Sequence, residues 1–337
     1  MVLPTRLVAV GVLGSALAAT AYRVGARRLM ARSRALSLRA SSAIGSPLPR
    51  AEEHGSCIYL DYQATSPVWP EVADAAIPFL QLHWGNPSSG HAFGRSCATA
   101  VKSARAAVAQ LIGAKPDEII FTGCGSEADN HAILGVIEDD EARRRREGPA
   151  SAGGSLPHVV TSNVEHPAVT ECLEALKAAG RLEVTYVPVR EGRVEASAVA
   201  AAVTPRTLLV TVMRSNNEVR RRKHPKARKR RTTTAPLASP HAALLLHHHP
   251  QVGAVQPIAE ISAACKRARP GVLVHTDAAQ SIGKLPVDVD AMGVDMLTLV
   301  GHKFGAPKAS ADGYYSFAAP IGWLERSGQA ARRRTTI

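Results

Sequence analysis

The sequence predicts an α/β fold with a mostly parallel sheet, on three observations. Short β-prone runs alternate with segments of helical spacing over most of the chain, the pattern of strands joined by crossover helices. Two of these runs, Val272-Leu273-Val274 and Met296-Leu297-Thr298-Leu299-Val300, are almost wholly apolar, as strands covered on both faces are. Both turn polar at once, at His275-Thr276-Asp277 and at Gly301-His302-Lys303, and ligands of such sheets sit beyond the strands' carboxyl ends. An acid, Asp277, and an amine, Lys303, are thus offered at two strand ends. From these residues alone, an ordinary buried ion pair or two unrelated surface charges fit equally well.

At 337 residues the chain has room for one large or two ordinary domains. Residues 1–50 carry eight Arg and no acid, and residues 7–21 form an apolar run. That run is shorter than the roughly twenty residues a membrane span needs. The composition predicts an organelle transit segment, mitochondrial or plastid, with a membrane anchor as the alternative. Order is expected from 51 to 308. It starts with a brief β-prone run over 57–60 that leads into Asp61-Tyr62-Gln63-Ala64-Thr65, then a helix over 71–82 and a loop at Gly85-Asn86-Pro87-Ser88-Ser89. Apolar residues every three to four positions predict a helix over 96–112.

A strand over 119–122 is followed by Gly123-Cys124-Gly125-Ser126-Glu127 and a helix through Ile133 and Ile137. A strand, a Gly-rich turn, a hydroxyl and a helix start make a phosphate cradle, because backbone N–H groups and the helix dipole point at the anion. A Gly turn capped by Ser is also commonplace, and with no Lys after the glycines it is not a Walker loop. Residues 138–154 read as a charged, Gly/Ser-rich loop. Strands over 158–162, 184–187 and 208–213 and helices over 168–179 and 196–202 continue the alternation, with Glu165-His166-Pro167 after the first of these strands.

The pattern breaks over 219–251, which has no strand period, no acid, and runs of Arg, Thr, Leu and His. A nuclear-import signal, a nucleic-acid arm or a metal site at His247-His248-His249 are functional readings of it, but nothing there forms a packed face. A helix over 258–267 resumes the alternation. The formal charge of +13 does not argue for nucleic-acid binding by the fold. Residues 1–50, the nine basic residues of 220–231 and the segment after Lys308 together outweigh it, leaving the rest of the chain mildly acidic. The cysteines at 57, 97, 124, 172 and 265 form no C-x-x-C pair, which fits a reduced compartment, no zinc site, and small buried side chains.

Seven short motifs in order resemble the fold-type-I, pyridoxal 5'-phosphate (PLP) enzymes of the class V aminotransferase family, in its selenocysteine lyase and cysteine desulfurase group. They are Tyr59-Leu60-Asp61-Tyr62-Gln63-Ala64-Thr65, Gly85-Asn86-Pro87-Ser88-Ser89, Gly125-Ser126-Glu127, Thr161-Ser162-Asn163-Val164-Glu165-His166, Asn216-Asn217-Glu218, His275-Thr276-Asp277-Ala278-Ala279-Gln280 and Gly301-His302-Lys303. The resemblance implies a fold-type-I large domain in which Lys303 forms the Schiff base with PLP and Asp277 sits on the pyridine nitrogen. It further implies that His166 stacks on the ring, that Gln280 and Asn217 lie near the phenolic oxygen, and that Gly125, Ser126 and His302 hold the phosphate. The implied reaction eliminates selenium or sulfur from selenocysteine or cysteine and leaves alanine, with a homodimer as the working form and an acceptor protein as a further partner. Val300-Gly301-His302-Lys303 and Val164-Glu165-His166 lean towards selenocysteine lyases; an aminotransferase of the same fold is the lesser reading.

Three departures from that pattern are expected to matter. Excising 219–251 joins Asn217-Glu218 to Val252-Gly253-Ala254-Val255-Gln256-Pro257 as the family has it, so the stretch reads as a translated intron. The match ends near Lys308, and 309–337 reads as an aberrant tail without the family's next strand. The family's C-terminal small domain, with its carboxylate-binding Arg and acceptor cysteine, is expected to be missing, which leaves a catalytically incompetent PLP-binding remnant as the alternative.

Overall fold

The computed structural model describes residues 59–147, 155–216 and 253–308, with the backbone of 311–315. The 1–50 segment, the basic stretch 219–251 and Asn217 lie outside the described residues. The chain divides into two compact units, one of residues 1–124 with 300–312, the other of residues 125–299 with 313–337.

In the first unit, helix α1 (Pro70–Gln81) starts with Pro at its first position, where the missing N–H costs nothing. Helix α2 (Ala92–Ile112) ends on Gly113 at φ +76°, a left-handed cap whose N–H donates to the Ala109 carbonyl. It starts four residues earlier than its apolar spacing indicates. Gly94, in its first turn, packs so closely on the carbonyls of Asn86 and Ser89 that a Cβ would overlap them, which fixes the 85–90 loop on the helix. Strand β1 (Ile119–Thr122) follows a single 3-10 turn. Of the strand expected over 57–60, residues 57 and 58 lie outside the described residues, and residues 59 and 60 are not in a strand. Tyr59 and Leu60 are exposed, at 49% and 85%, and residues 62–64 make a turn.

The second unit opens with α3 (Gly125–Glu147), which corrects the loop expected over 138–154: residues 138–147 are helical. Their charges are the reason. Asp140 pairs with Arg143 and Arg144, Glu141 with Arg145, and Arg143 with Glu147, all at i,i+3 or i,i+4, and the arginines lie at the favourable end of the helix dipole. Then come β2 (His158–Ser162), α4 (Pro167–Ala178), β3 (Glu183–Val187), α5 (Ala196–Ala202), β4 (Thr207–Thr211), α6 (Ile258–Ala268), β5 (Leu273–Asp277), the short α7 (Val289–Met292) and β6 (Met296–Val300). Strand β7 (Ala311–Tyr315) corrects the expectation that no strand follows the Lys303 loop; its Tyr314-Tyr315 end is β-prone.

Strands β6, β5, β4, β2 and β3 lie side by side in that order, all parallel. The registers are Thr161↔Thr211, Thr211↔His275 and Asp277↔Thr298. Every residue of β2 and β6 is buried, as strands covered on both faces should be; β6 is apolar but for Thr298, whereas β2 buries His158, Thr161 and Ser162 as well. The crossover from β2 to β3 runs one way along the sheet, and from β3 the chain returns to β4, beside β2, and on to β5 and β6. Right-handed crossovers therefore put α4 on one face and α5 and α6 on the other. The packing agrees: α3 lies against α4, and α5 against α6. The order reverses between β2 and β4, so the carboxyl ends of these two strands border a topological switch point.

Candidate active site

In the first unit the amine half of the site is built from two segments far apart in sequence. The Lys303 loop, a 3-10 turn at Gly301–Lys303, follows directly on β6. Residues 61–69 hold it. Ser66 N–H and Ser66 Oγ both donate to the His302 carbonyl, at 2.8 and 2.9 Å, and Gly305 N–H donates back to Ser66 Oγ at 2.9 Å. Trp69 N–H donates to the Gly305 carbonyl at 3.0 Å. Gly305 has φ +94°, and a Cβ there would sit 2.5 Å from Trp69 Nε1, so close contact and backbone conformation both require glycine. Lys303 Nζ donates to the carbonyls of Gln63 and Ala64, at 2.9 and 2.8 Å. His302 Nδ1 lies 3.2 Å from Thr65 Oγ1. Burial lowers the His302 pKa, and the Lys303 and Lys308 charges add to that.

In the second unit the acceptor half lies at the carboxyl ends of β2, β4 and β5. Asp277 ends β5, is 5% exposed, and takes the Ala279 N–H on Oδ1 at 2.8 Å. Gln280, three residues past Asp277, is buried and accepts from Lys284 Nζ at 3.3 Å. His166 is the exposed N-cap of α4, and its Nδ1 accepts from Ala168 N–H at 3.1 Å. The other ring nitrogen therefore carries the proton of the neutral imidazole. Gly125 and Ser126 form the first turn of α3, with Ser126 exposed. Asn216 is buried and donates to the Val164 carbonyl at 2.9 Å.

Sequence reasoning missed two buried groups in this half. Glu165 takes the Met213 N–H on Oε2 at 2.8 Å and bonds Ser162 Oγ through Oε1. Burial pushes its carboxyl up to about 8, partly offset by the Ser162 bond and reinforced by the Asp277 charge. His275 is fully enclosed, with Nδ1 2.9 Å from Thr211 Oγ1 and Nε2 3.1 Å from Thr298 Oγ1. Burial pushes it down to about 3, so it is neutral, and the 3.8 Å approach of Nε2 to Asp129 is not an ion pair at neutral pH. Glu165 was visible as the residue before His166, and His275 as a polar residue in an apolar strand, but neither position announces its protonation state.

Other features of the described residues lie apart from this chemistry. A cavity of about 290 Å³ lined by Ala132, Arg143, Leu208, Arg269, Leu273 and Met296 lies at the amino ends of β4, β5 and β6, the sheet edge opposite Asp277. Cys97 and Cys265 are buried, but Cys124, in the turn before α3, is exposed, contrary to the expectation of a small buried side chain. Among the described residues no group of three or more His, Cys, Asp or Glu is placed to hold a metal ion, and no helix is long and apolar enough to cross a membrane.

The donor set fits PLP: an amine oriented by carbonyls, a buried carboxylate at a strand end, a neutral imidazole, and a helix start bearing a hydroxyl for a phosphate. The family model described as aminotransferase class-V matches residues 58–219 and 238–309, breaking inside the basic stretch. The chain is 36% identical over 269 residues to a selenocysteine lyase from Bos taurus, covering 75% of this chain and 54% of the relative. It is 37% identical over 264 residues to one from Xenopus laevis, with the same coverage. With the cysteine desulfurase IscS of Dictyoglomus turgidum the identity is 38% over 252 residues, covering 74% and 52%. The chain thus spans about half the length of the curated relatives it matches.

Among solved structures, a NifS-like protein superposes with a TM-score of 0.62 at 29% identity, covering 78% of this chain and 60% of that one. SspA in complex with cysteine gives 0.61 at 28%, covering 82% and 72%. The fold is that of the PLP-dependent enzymes of this group, and PLP is the family's cofactor. The motifs, the parallel sheet with an acid at its carboxyl edge, and these matches lead to one statement: the chain belongs to the class V aminotransferase family.

Proposed function

We propose that this protein is a PLP-dependent lyase that removes selenium or sulfur from L-selenocysteine or L-cysteine and leaves L-alanine. The observation that carries the reading is the placement of Asp277 at the end of β5 and of Lys303 three residues past the neighbouring parallel strand, in a chain 36–38% identical to selenocysteine lyases and a cysteine desulfurase. When bound, PLP supplies an electron sink for breaking bonds at the substrate's Cα and Cβ. Lys303 Nζ would hold the cofactor at its aldehyde carbon. Asp277 would keep the ring nitrogen protonated through a charge-assisted hydrogen bond. His166 would cover the ring, with Nε2 as its free ring nitrogen. Gly125, Ser126 and His302 would take the phosphate; Gln280 and Asn217 would serve the phenolic oxygen. The C–Se or C–S bond breaks, and the chalcogen passes to an external thiol, on an acceptor protein or a small molecule, as a perselenide or persulfide.

Purified protein loaded with PLP is expected to show a visible absorption band that Lys303→Ala abolishes and, with excess dithiothreitol as acceptor thiol and two-electron reductant, to release alanine with selenide or sulfide. A band that persists unchanged in Lys303→Ala overturns the Lys303 assignment. A band without turnover of either amino acid overturns the lyase reading and leaves a cofactor-binding remnant.

Three further readings belong to the same proposal. The working form is a homodimer, supported by Leu80, Leu82, Trp84 and Phe93, which are 69%, 71%, 70% and 63% exposed. Light scattering should give twice the chain mass, and Trp84→Ser with Phe93→Ser should lower it to one. The Arg-rich residues 1–50 direct the protein to an organelle, which a fluorescent fusion of that segment would display and an even cytosolic signal would refute. Residues 219–251 are a retained intron, supported by the break in the family match at 220–237; a mature transcript that keeps these codons refutes it.

A further inference from the structure

Glu165 lies on the switch point between β2 and β4 and joins its two sides. One carboxyl oxygen bonds the Ser162 hydroxyl at the end of β2, and the other takes the Met213 N–H, two residues past β4. Beside it, Asn216 donates to the Val164 carbonyl across the same gap, while Asn163 fastens the turn on its other side, its N–H to the Val187 carbonyl and its Oδ1 to the Val189 N–H. The 163–166 turn is thus held from both flanks, and it delivers His166 as the α4 N-cap. The carboxyl is 8% exposed, and the charged group acting on it among the described residues is Asp277. Two ionised carboxylates in one dry crevice repel each other. To a carboxylate the Ser162 hydroxyl donates; once Glu165 is protonated the hydroxyl can rotate and accept from it, while the other carboxyl oxygen still accepts from Met213 N–H, so both bonds survive without a second charge.

We propose that Glu165 is a positioning residue that works as a neutral acid, tying the β2–α4 turn to the end of β4 so that His166 is held over the cofactor and Asp277 remains the single negative charge at this end of the sheet. The inference rests on the PLP reading above. Glutamine reproduces the neutral form's donor and acceptor. Aspartate keeps the acid but is one methylene too short to span Ser162 and Met213.

The test uses the full chain, titrated with PLP, with the dissociation constant and the circular dichroism of the visible cofactor band as readouts. Apo-protein melting is followed in parallel. Glu165→Gln should bind within about threefold of wild type and keep the sign and size of the band. Glu165→Asp and Glu165→Ala should bind about tenfold or more weakly, as loss of roughly 1.4 kcal/mol of positioning would give, with a diminished band. Should the alanine variant not fold, Ser162→Ala, which removes one end of the tie, should move the same two readouts. A glutamine variant as weak as alanine means the charged form is needed and overturns the proposal. So does an aspartate variant that melts early yet keeps the wild-type affinity and band, because the role is then structural only. Wild-type chain that takes up no PLP overturns the functional reading as well, a failure distinct from one confined to the variants.

Discussion

Replacing Glu165 by Gln should change how folding stability depends on pH, even without cofactor. The carboxyl is buried and raised from an ordinary value of 4.5 to about 8. Between these values the unfolded chain has released its proton and the folded chain has kept it, so the native state binds one proton more. Stability then falls as pH rises, by about 1.4 kcal/mol per unit, and levels off above about 8. Gln does not titrate. Wild type and Glu165→Gln should therefore be close in stability near pH 5 and diverge to about 4 kcal/mol in favour of the variant at pH 8. Urea unfolding of both proteins at pH 5, 6, 7 and 8 measures this, and subtraction cancels every other titrating group. A difference that stays flat from pH 5 to 8 would refute the argument, because Glu165 would then ionise in the fold at an ordinary pH.

Three other expectations follow from the same physics. His275, lowered to about 3 by burial, must pick up a proton on acid unfolding, so wild-type stability should drop by about 1.4 kcal/mol per unit below pH 6.5; in His275→Gln that share of the acid limb should vanish, read as the melting temperature from pH 7 to 4. Gly94→Ala places a Cβ 2.5 Å from the Asn86 carbonyl oxygen and over that of Ser89, and should cost about 1–3 kcal/mol in denaturant unfolding. Lys284→Met removes the donor on the Gln280 side-chain oxygen and should weaken PLP binding about fivefold by titration, the worth of about 1 kcal/mol for one such bond.

Part of the second unit was legible because a strand buried on both faces writes an apolar run. β6, Met296–Val300, is the clearest case. The end of α3 was not legible. Its polar run resembles loop composition, and only the spacing of Asp140 to Arg144, Glu141 to Arg145 and Arg143 to Glu147 shows that a helix brings each pair together. The start of α2 was hidden for another reason: Gly94 reads as a breaker, yet its missing side chain is what lets the 85–90 loop pack there. For the proposed site, the candidates Asp277, Lys303, His166 and the Gly125-Ser126 turn were readable from motif order. The roles of Gln63, Ala64 and Ser66 were not, because they act through backbone carbonyls and a hydroxyl supplied from about 240 residues away.

The strand order also explains why two buried carboxyls at one end of the sheet must differ. Chain reversal between β2 and β4 opens a crevice there, and the residues that close it come from the two loops that leave in opposite directions. Asp277 stands at the end of the next strand, in register with Thr298, and its Oδ1 takes the Ala279 N–H of its own turn. Glu165 has the opposite task, because its bonds go to both sides at once. The bonds from Ser162 and Met213 favour a charge at that position, but its desolvation, reinforced by Asp277, outweighs them. A proton removes that cost and adds a donor for Ser162. On this proposal the fold separates one carboxyl that would hold a charge for the cofactor from one that holds the backbone for its neighbour, and the glutamine variant distinguishes the two duties.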